Sequence, residues 1–189
     1  MNQEDLRARL LIELEGVAED ATAIVSGLAD PQLHWSPATG WSSGQVLEHL
    51  VLTADAYVSR VRGRVYSPKA AHVLQGVATW EPSLMGWLLV KGMRSQRKFP
   101  APKVFAPGPA PRPDVVEAFH QRQRTLTQLL LASAALDWNR VRTTSPASPM
   151  IRLNLGDVFT ILLTHTQRHV HQMERVRDRV DFPAESKAS

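Results

Sequence analysis

The sequence predicts an all-α domain built as a four-helix bundle, with a long crossover between the second and third long helices and one extra short helix. Three observations carry this expectation. Apolar residues recur at spacings of three and four along four long stretches, the period of a helix with one buried face. The prolines Pro31, Pro37, Pro68, Pro82, Pro100, Pro102, Pro107, Pro109, Pro111, Pro113, Pro146, Pro149 and Pro183 all fall between the strongly periodic stretches. No strand signal, internal repeat, βαβ pattern or glycine-rich phosphate loop stands out.

The first helix is read over residues 3–29, from Leu6, Leu10, Ile12, Leu14, Val17, Ala21, Ile24, Val25 and Leu28, with Asp30 and Pro31 as its stop. The second is read over 42–62. Ser42 is its N-cap and Gln45, three residues on, completes a capping box. Val46, Leu47, Leu50, Val51, Ala54, Tyr57, Val58 and Val61 form its buried stripe. A shorter helix is expected over 83–98 after Pro82, weakened by Gly86 and Gly92 at about 1 kcal/mol each relative to Ala. Residues 100–113, PAPKVFAPGPAPRP, read as an extended connector with polyproline character, and Pro113-Asp114 suit the start of the next helix. Two further long helices are read over 114–135 and 155–180. The stretch 63–113 is far longer than a hairpin turn needs, which is why a crossover is expected.

Composition bounds the function. At 189 residues, with 43% hydrophobic and 21% charged residues and a mean hydropathy of -0.20, the chain is of ordinary globular type and about one domain long. We expect a single domain over 1–182 and a polar tail over 183–189. Lys and Arg number 22 against 18 Asp and Glu, a net charge of +4 that is too small and too scattered to imply nucleic-acid binding. No apolar run reaches the roughly 18 residues of a membrane span, and the start MNQEDLRARL is charged, so a cytoplasmic protein is expected. The sequence holds no cysteine, which excludes disulfides, thiolate metal sites and a thiol nucleophile of its own.

The chemistry concentrates in Leu162-Leu163-Thr164-His165-Thr166-Gln167-Arg168-His169-Val170-His171-Gln172-Met173. On a helix turning about 100° per residue, His169 falls roughly 40° from His165, within the apolar arc of Val158, Leu162, Met173 and Val176. Gln172 lies beside the pair, while His171 belongs to the solvated face with Arg168 and Arg175. Imidazoles at i and i+4 stand about 5–6 Å apart at Cβ, close enough to share one cation. The spacing equally suits two hydrogen-bonded histidines in a core or cleft, and by itself leaves both readings open. A third ligand must come from another helix. His49 borders the stripe of the second helix, next to Thr53 and Tyr57, where a residue lining an interhelical cleft would sit; a solvated boundary histidine fits the same position. Glu48 falls on the far side and reads as a surface carboxylate. His34 and His72 are placed in loops and His120 at the start of the third long helix, as structural or exposed groups. The tryptophans, mostly near helix ends, read as packing plugs.

Leu28-Ala29-Asp30-Pro31-Gln32-Leu33-His34-Trp35-Ser36-Pro37, then Gly40-Trp41-Ser42-Ser43-Gly44-Gln45-Val46-Leu47-Glu48-His49-Leu50, and finally His165-Thr166-Gln167-Arg168-His169-Val170-His171-Gln172, resemble the two signatures of the DinB-like or YfiT-like metalloenzymes, in particular the second DinB-like branch. The resemblance covers essentially residues 5–180. It implies a four-helix bundle of the DinB/YfiT-like type, a homodimer, and a divalent metal, zinc or nickel, on His49, His165 and His169. Nothing in the sequence departs from that three-histidine pattern. Relatives of this kind include thiol S-transferases and a thiol-dependent isomerase. The resemblance therefore implies a small-molecule substrate and a low-molecular-weight thiol as co-substrate. Gln172, Tyr57 and Thr53 are candidates for supporting or pocket roles. The alternatives are metal-water hydrolysis and a non-catalytic metal-binding stress protein.

Overall fold

A computed structural model describes residues 1–66, 79–95 and 100–184. The described chain is mostly helical: α1 (Gln3–Val25), α2 (Asp30–His34), α3 (Ser43–Val65), α4 (Leu84–Arg94), a 3-10 turn (Lys103–Phe105), α5 (Val115–Ala132), strands β1 (Arg142–Ser145) and β2 (Ser148–Asn154), and α6 (Leu155–Arg177). None of these helices is long and apolar enough to cross a membrane.

Helix α1 packs on α5 and α6, and α3 packs on the same two, so α1 lies diagonally across from α3. The core between them draws Leu6, Leu10 and Leu14 from α1, Val46, Leu47 and Leu50 from α3, Phe119, Leu126 and Leu130 from α5, and Val158, Ile161 and Met173 from α6, all essentially buried. Each such side chain contributes about 1.5–3 kcal/mol of apolar burial. The stripe expected on the second helix is buried throughout. His72 and the tail from residue 185 lie outside the described residues, as does the end of the helix expected over 83–98.

The helix ends follow local chemistry, and some differ from expectation. The first helix stops at Val25, ahead of the expected 29, because Gly27 takes a positive φ of 82° and turns the chain. Pro31 does not stop a helix but lies in the first turn of α2, where a missing N–H costs nothing. Helix α3 starts with the expected box: Gln45 N–H donates to Ser42 Oγ and Ser42 N–H to Gln45 Oε1, both at 3.1 Å.

The β1–β2 hairpin corrects the expectation of no strand. It pairs antiparallel, with Thr143 opposite Leu153 and Ser145 opposite Ser148. Two strands alone are marginal in water, and this pair rests on α3, α4 and α6. Tyr57 OH lies 3.1 Å from Ser145 Oγ and Arg60 donates to Thr144 Oγ1 at 3.0 Å. The signal is weak in sequence because β1 is four polar residues and β2 carries a proline and no clean alternation, and their support is supplied by residues far away in the chain.

The hairpin runs straight into α6, whose first turn is held by a second capping box. Asp157 N–H donates to Asn154 Oδ1 at 2.8 Å and Asn154 N–H to Asp157 Oδ2 at 2.9 Å. Trp80 Nε1–H also donates to Asn154 Oδ1, and Ser83 N–H to Asp157 Oδ1. A Cβ on Gly156 would lie 2.1 Å from the Trp80 indole, so only glycine lets that ring close over the helix start. Trp80 and Trp138 are the buried plugs expected of tryptophan here, whereas Trp87 is exposed on α4.

Candidate metal centre

Helix α3 carries His49, and α6 carries His165 and His169 one turn apart. Packing of α3 on α6 brings the three together. Their ring centroids form a near-regular triangle, 4.5 Å for His165–His169, 4.7 Å for His49–His169 and 4.9 Å for His49–His165. One ring nitrogen from each lies within 4.8 Å of the others. His49 is buried and the other two are partly exposed, so the cluster sits at the rim of the core with a face toward solvent.

The hydrogen bonds assign the protons. A carbonyl can only accept, so the 2.7 Å contact between His49 Nδ1 and Phe105 O places the proton on Nδ1 and a lone pair on Nε2. The same logic holds for His169, whose Nδ1 donates to Gln172 Oε1 at 2.9 Å. His49 Nε2 stands 3.1 Å from His165 Nε2. Two nitrogens bound at 2.0–2.1 Å to one tetrahedral cation stand roughly 3.3 Å apart, so this separation fits a shared cation. The chemistry of the donor set agrees: three imidazoles, two of them with the outer nitrogen tied to an acceptor, as metal-binding histidines are.

Electrostatics keep the rings neutral. Burial pushes His49 below the ordinary histidine range, against the Phe105 hydrogen bond that raises it. Burial pushes His165 well below that range, helped by His169 and His49. His169 is lowered to about 3, by burial first and then by His49, Arg168 and Arg175. At neutral pH all three offer lone pairs, which a cation requires.

The remaining candidates fall around this cluster in different ways. Thr53 Oγ1 donates to the His49 carbonyl at 2.8 Å, closing on its own helix. Tyr57 stacks on Phe105 with centroids 6.4 Å apart, and Phe105 in turn presents its edge to His49 at 6.5 Å. His171 is exposed beside Glu174, His34 bonds the Asp30 carbonyl, and His120 lies 3.4 Å from Thr22 Oγ1; none joins the cluster.

Three neighbours were not legible beforehand. Trp41 packs on His49 at 4.9 Å and stacks on His169 at 6.4 Å, walling the cluster rather than plugging a helix end. Its position just before the Ser42 cap was the available signal. The Phe105 carbonyl had none, since every residue carries one. Glu48 corrects the reading of a surface carboxylate: it is buried and holds Arg112 through two bonds, Nε to Oε2 at 2.8 Å and Nη2 to Oε1 at 3.0 Å. The helix wheel was right about its side of α3, but the connector covers that side.

No curated protein matches the chain, and no solved structure does. The family model of the DinB superfamily matches residues 13–173, a span that holds α3, α6 as far as Met173 and all three clustered histidines. The chain therefore belongs to the DinB superfamily, and its three-histidine cluster fits a metal-binding protein.

Proposed function

We propose that this chain is a metal-dependent enzyme in which His49, His165 and His169 hold one divalent cation, zinc or nickel, and which transfers a low-molecular-weight thiol to a small electrophile. On this reading α1, α3, α5 and α6 are the four-helix bundle of the family and residues 66–114 its long crossover. The enzyme works in the cytoplasm as a homodimer.

The observation that carries the reading is the convergence of neutral imidazoles, with His49 Nε2 and His165 Nε2 3.1 Å apart. When bound, a divalent cation with an open position lowers the pKa of a coordinated thiol or water and polarises a carbonyl. The protein has no cysteine, so the sulfur comes from a co-substrate. In the transfer the thiol gives up its proton to solvent, the sulfur forms a bond to the electrophilic carbon, and the displaced group leaves with the electron pair of the broken bond and takes up a proton from solvent. Arg168 and Arg175 lie close enough to His169 to depress its pKa, and that positive field favours an anionic ligand such as a thiolate. Trp41 and Phe105 pack their rings against His49.

Elemental analysis of untagged protein purified without chelator tests the metal. We expect about one cation per chain in the parent, lost in His49→Ala, His165→Ala and His169→Ala. A parent that is metal-free and takes up neither zinc nor nickel overturns the reading. A screen of thiols and electrophiles with the metal found then tests transfer.

A second reading has its own observation: the cluster joins α3 to α6, so a cation there would staple the two helices. No turnover with any thiol, together with a large loss of thermal stability on chelation, would favour that structural role. Hydrolysis has less support, because the described cluster contains no carboxylate to serve as a separate base.

A further inference from the structure

We propose that the proline-rich connector is a strap that sets the tautomer of His49, and that Glu48, Arg112 and Gln45 are the positioning residues that hold it. The inference rests on the metal reading for its consequence, but its first readout is independent of metal.

Besides the contact of the Phe105 ring with Tyr57, the strap meets α3 at residues on two adjoining rows of one face, 44, 45, 48 and 49. Pro111 packs so closely on Gly44 that a Cβ there would lie 2.9 Å from the proline ring. Gln45 Nε2 donates to the carbonyls of Gly108 at 2.9 Å and Pro109 at 3.3 Å. Glu48 takes the forked pair from Arg112, and a longer bond from the Arg112 backbone N–H at 3.4 Å. His49 then meets the Phe105 carbonyl at 2.7 Å.

Pro107, Pro109 and Pro111 stiffen the stretch between Phe105 and Arg112, so fixing Arg112 at Glu48 constrains the near end at Phe105. The near end is shaped by a 3-10 turn, in which Phe105 N–H donates to Pro102 O at 2.9 Å. The Phe105 ring is buried between His49 and Tyr57, which seats the carbonyl as well as the side chain.

The consequence is chemical. Phe105 O holds the proton on His49 Nδ1 and leaves Nε2 bare toward His165 and His169. Without that acceptor His49 is free to protonate Nε2, the commoner neutral form in water, and the lone pair turns away from the cluster. Glu48 and Arg112 touch no imidazole and act only through the strap.

Long-range nitrogen–proton NMR of the His49 ring in chelator-treated protein at neutral pH reads the tautomer directly. The variants are Glu48→Gln/Arg112→Gln, which removes both charges together, and Gln45→Glu. The latter keeps the acceptor that caps α3 but loses the two bonds to the strap. We expect the Nδ1–H form in the parent and a mixture in both variants. We also expect a 10- to 100-fold loss of zinc affinity in a competition assay, roughly the effect of removing a partner of a ligating histidine. Should the double variant fail to fold, Gln45→Glu decides. Parent-like tautomer and parent-like zinc affinity in a folded variant overturn the proposal. A parent that shows the Nδ1–H form, shifted in the variants, but binds no zinc upholds the strap and overturns the metal reading instead.

Discussion

Asp157 Oδ1 occupies the space where a side chain on Gly86 would begin: a Cβ there would lie 2.1 Å from it. The carboxylate belongs to the capping box of α6 and the glycine to α4, so one close approach seats α4 against the helix that carries His165 and His169. What reads in sequence as a weak point of a short helix is a requirement of packing.

Gly86→Ala therefore reverses the usual sign. An exposed helical Gly→Ala gains about 1 kcal/mol, whereas here overpacking against a buried carboxylate costs about 1–3 kcal/mol. Urea unfolding should show a net loss of stability. A stabilised variant would show that Asp157 moves aside freely.

The same carboxylate predicts a pH dependence. Burial holds Asp157 above the usual carboxylate range, against hydrogen bonds from Ser83 and Asn154 that lower it. A folded-state pKa above the unfolded one means that the native state binds the proton more tightly. The stabilisation is complete below the unfolded pKa and is lost as pH rises through the folded pKa. Asp157→Asn has no such titration. The stability of the parent minus that of the variant should shrink as pH rises from below the ordinary carboxylate range through and above it; a constant or growing difference contradicts the argument.

Gln172→Leu removes the acceptor of His169 Nδ1 from a partly exposed position. Zinc affinity should fall about 10- to 100-fold with little change in the urea midpoint. Unchanged affinity would mean that Gln172 does not orient the ring.

Trp41 should report on the cluster, since its ring is 4.9 Å from that of His49. Titration with nickel, a quencher of indole emission, should dim the protein's fluorescence, and Trp41→Phe should abolish most of that change. Trp80 and Trp138 are buried with their indole N–H groups bonded to Asn154 and Ser133 and should contribute little. Full quenching retained in Trp41→Phe would place the bound nickel elsewhere.

Sequence alone determined what repeats locally. The 3.6-residue period marked the long helices and their buried stripes, the Ser42–Gln45 spacing marked the start of α3, and the four-residue spacing of His165 and His169 put both on one face of α6. Each is a property of a single segment, and a helix carries it wherever it packs.

Tertiary structure decided what covers each face. A helix wheel assigns Glu48 to the side away from the stripe but has no knowledge of the strap that crosses it, so Arg112 converts an apparent surface acid into a buried, paired one. The hairpin is likewise decided at a distance: Thr143 and Leu153 are buried only because α3, α4 and α6 support it. The proton on His49 depends on one backbone carbonyl 56 residues further along the chain. Local pattern records the period of a segment, while burial and hydrogen-bond partners are properties of the neighbours that folding brings to it.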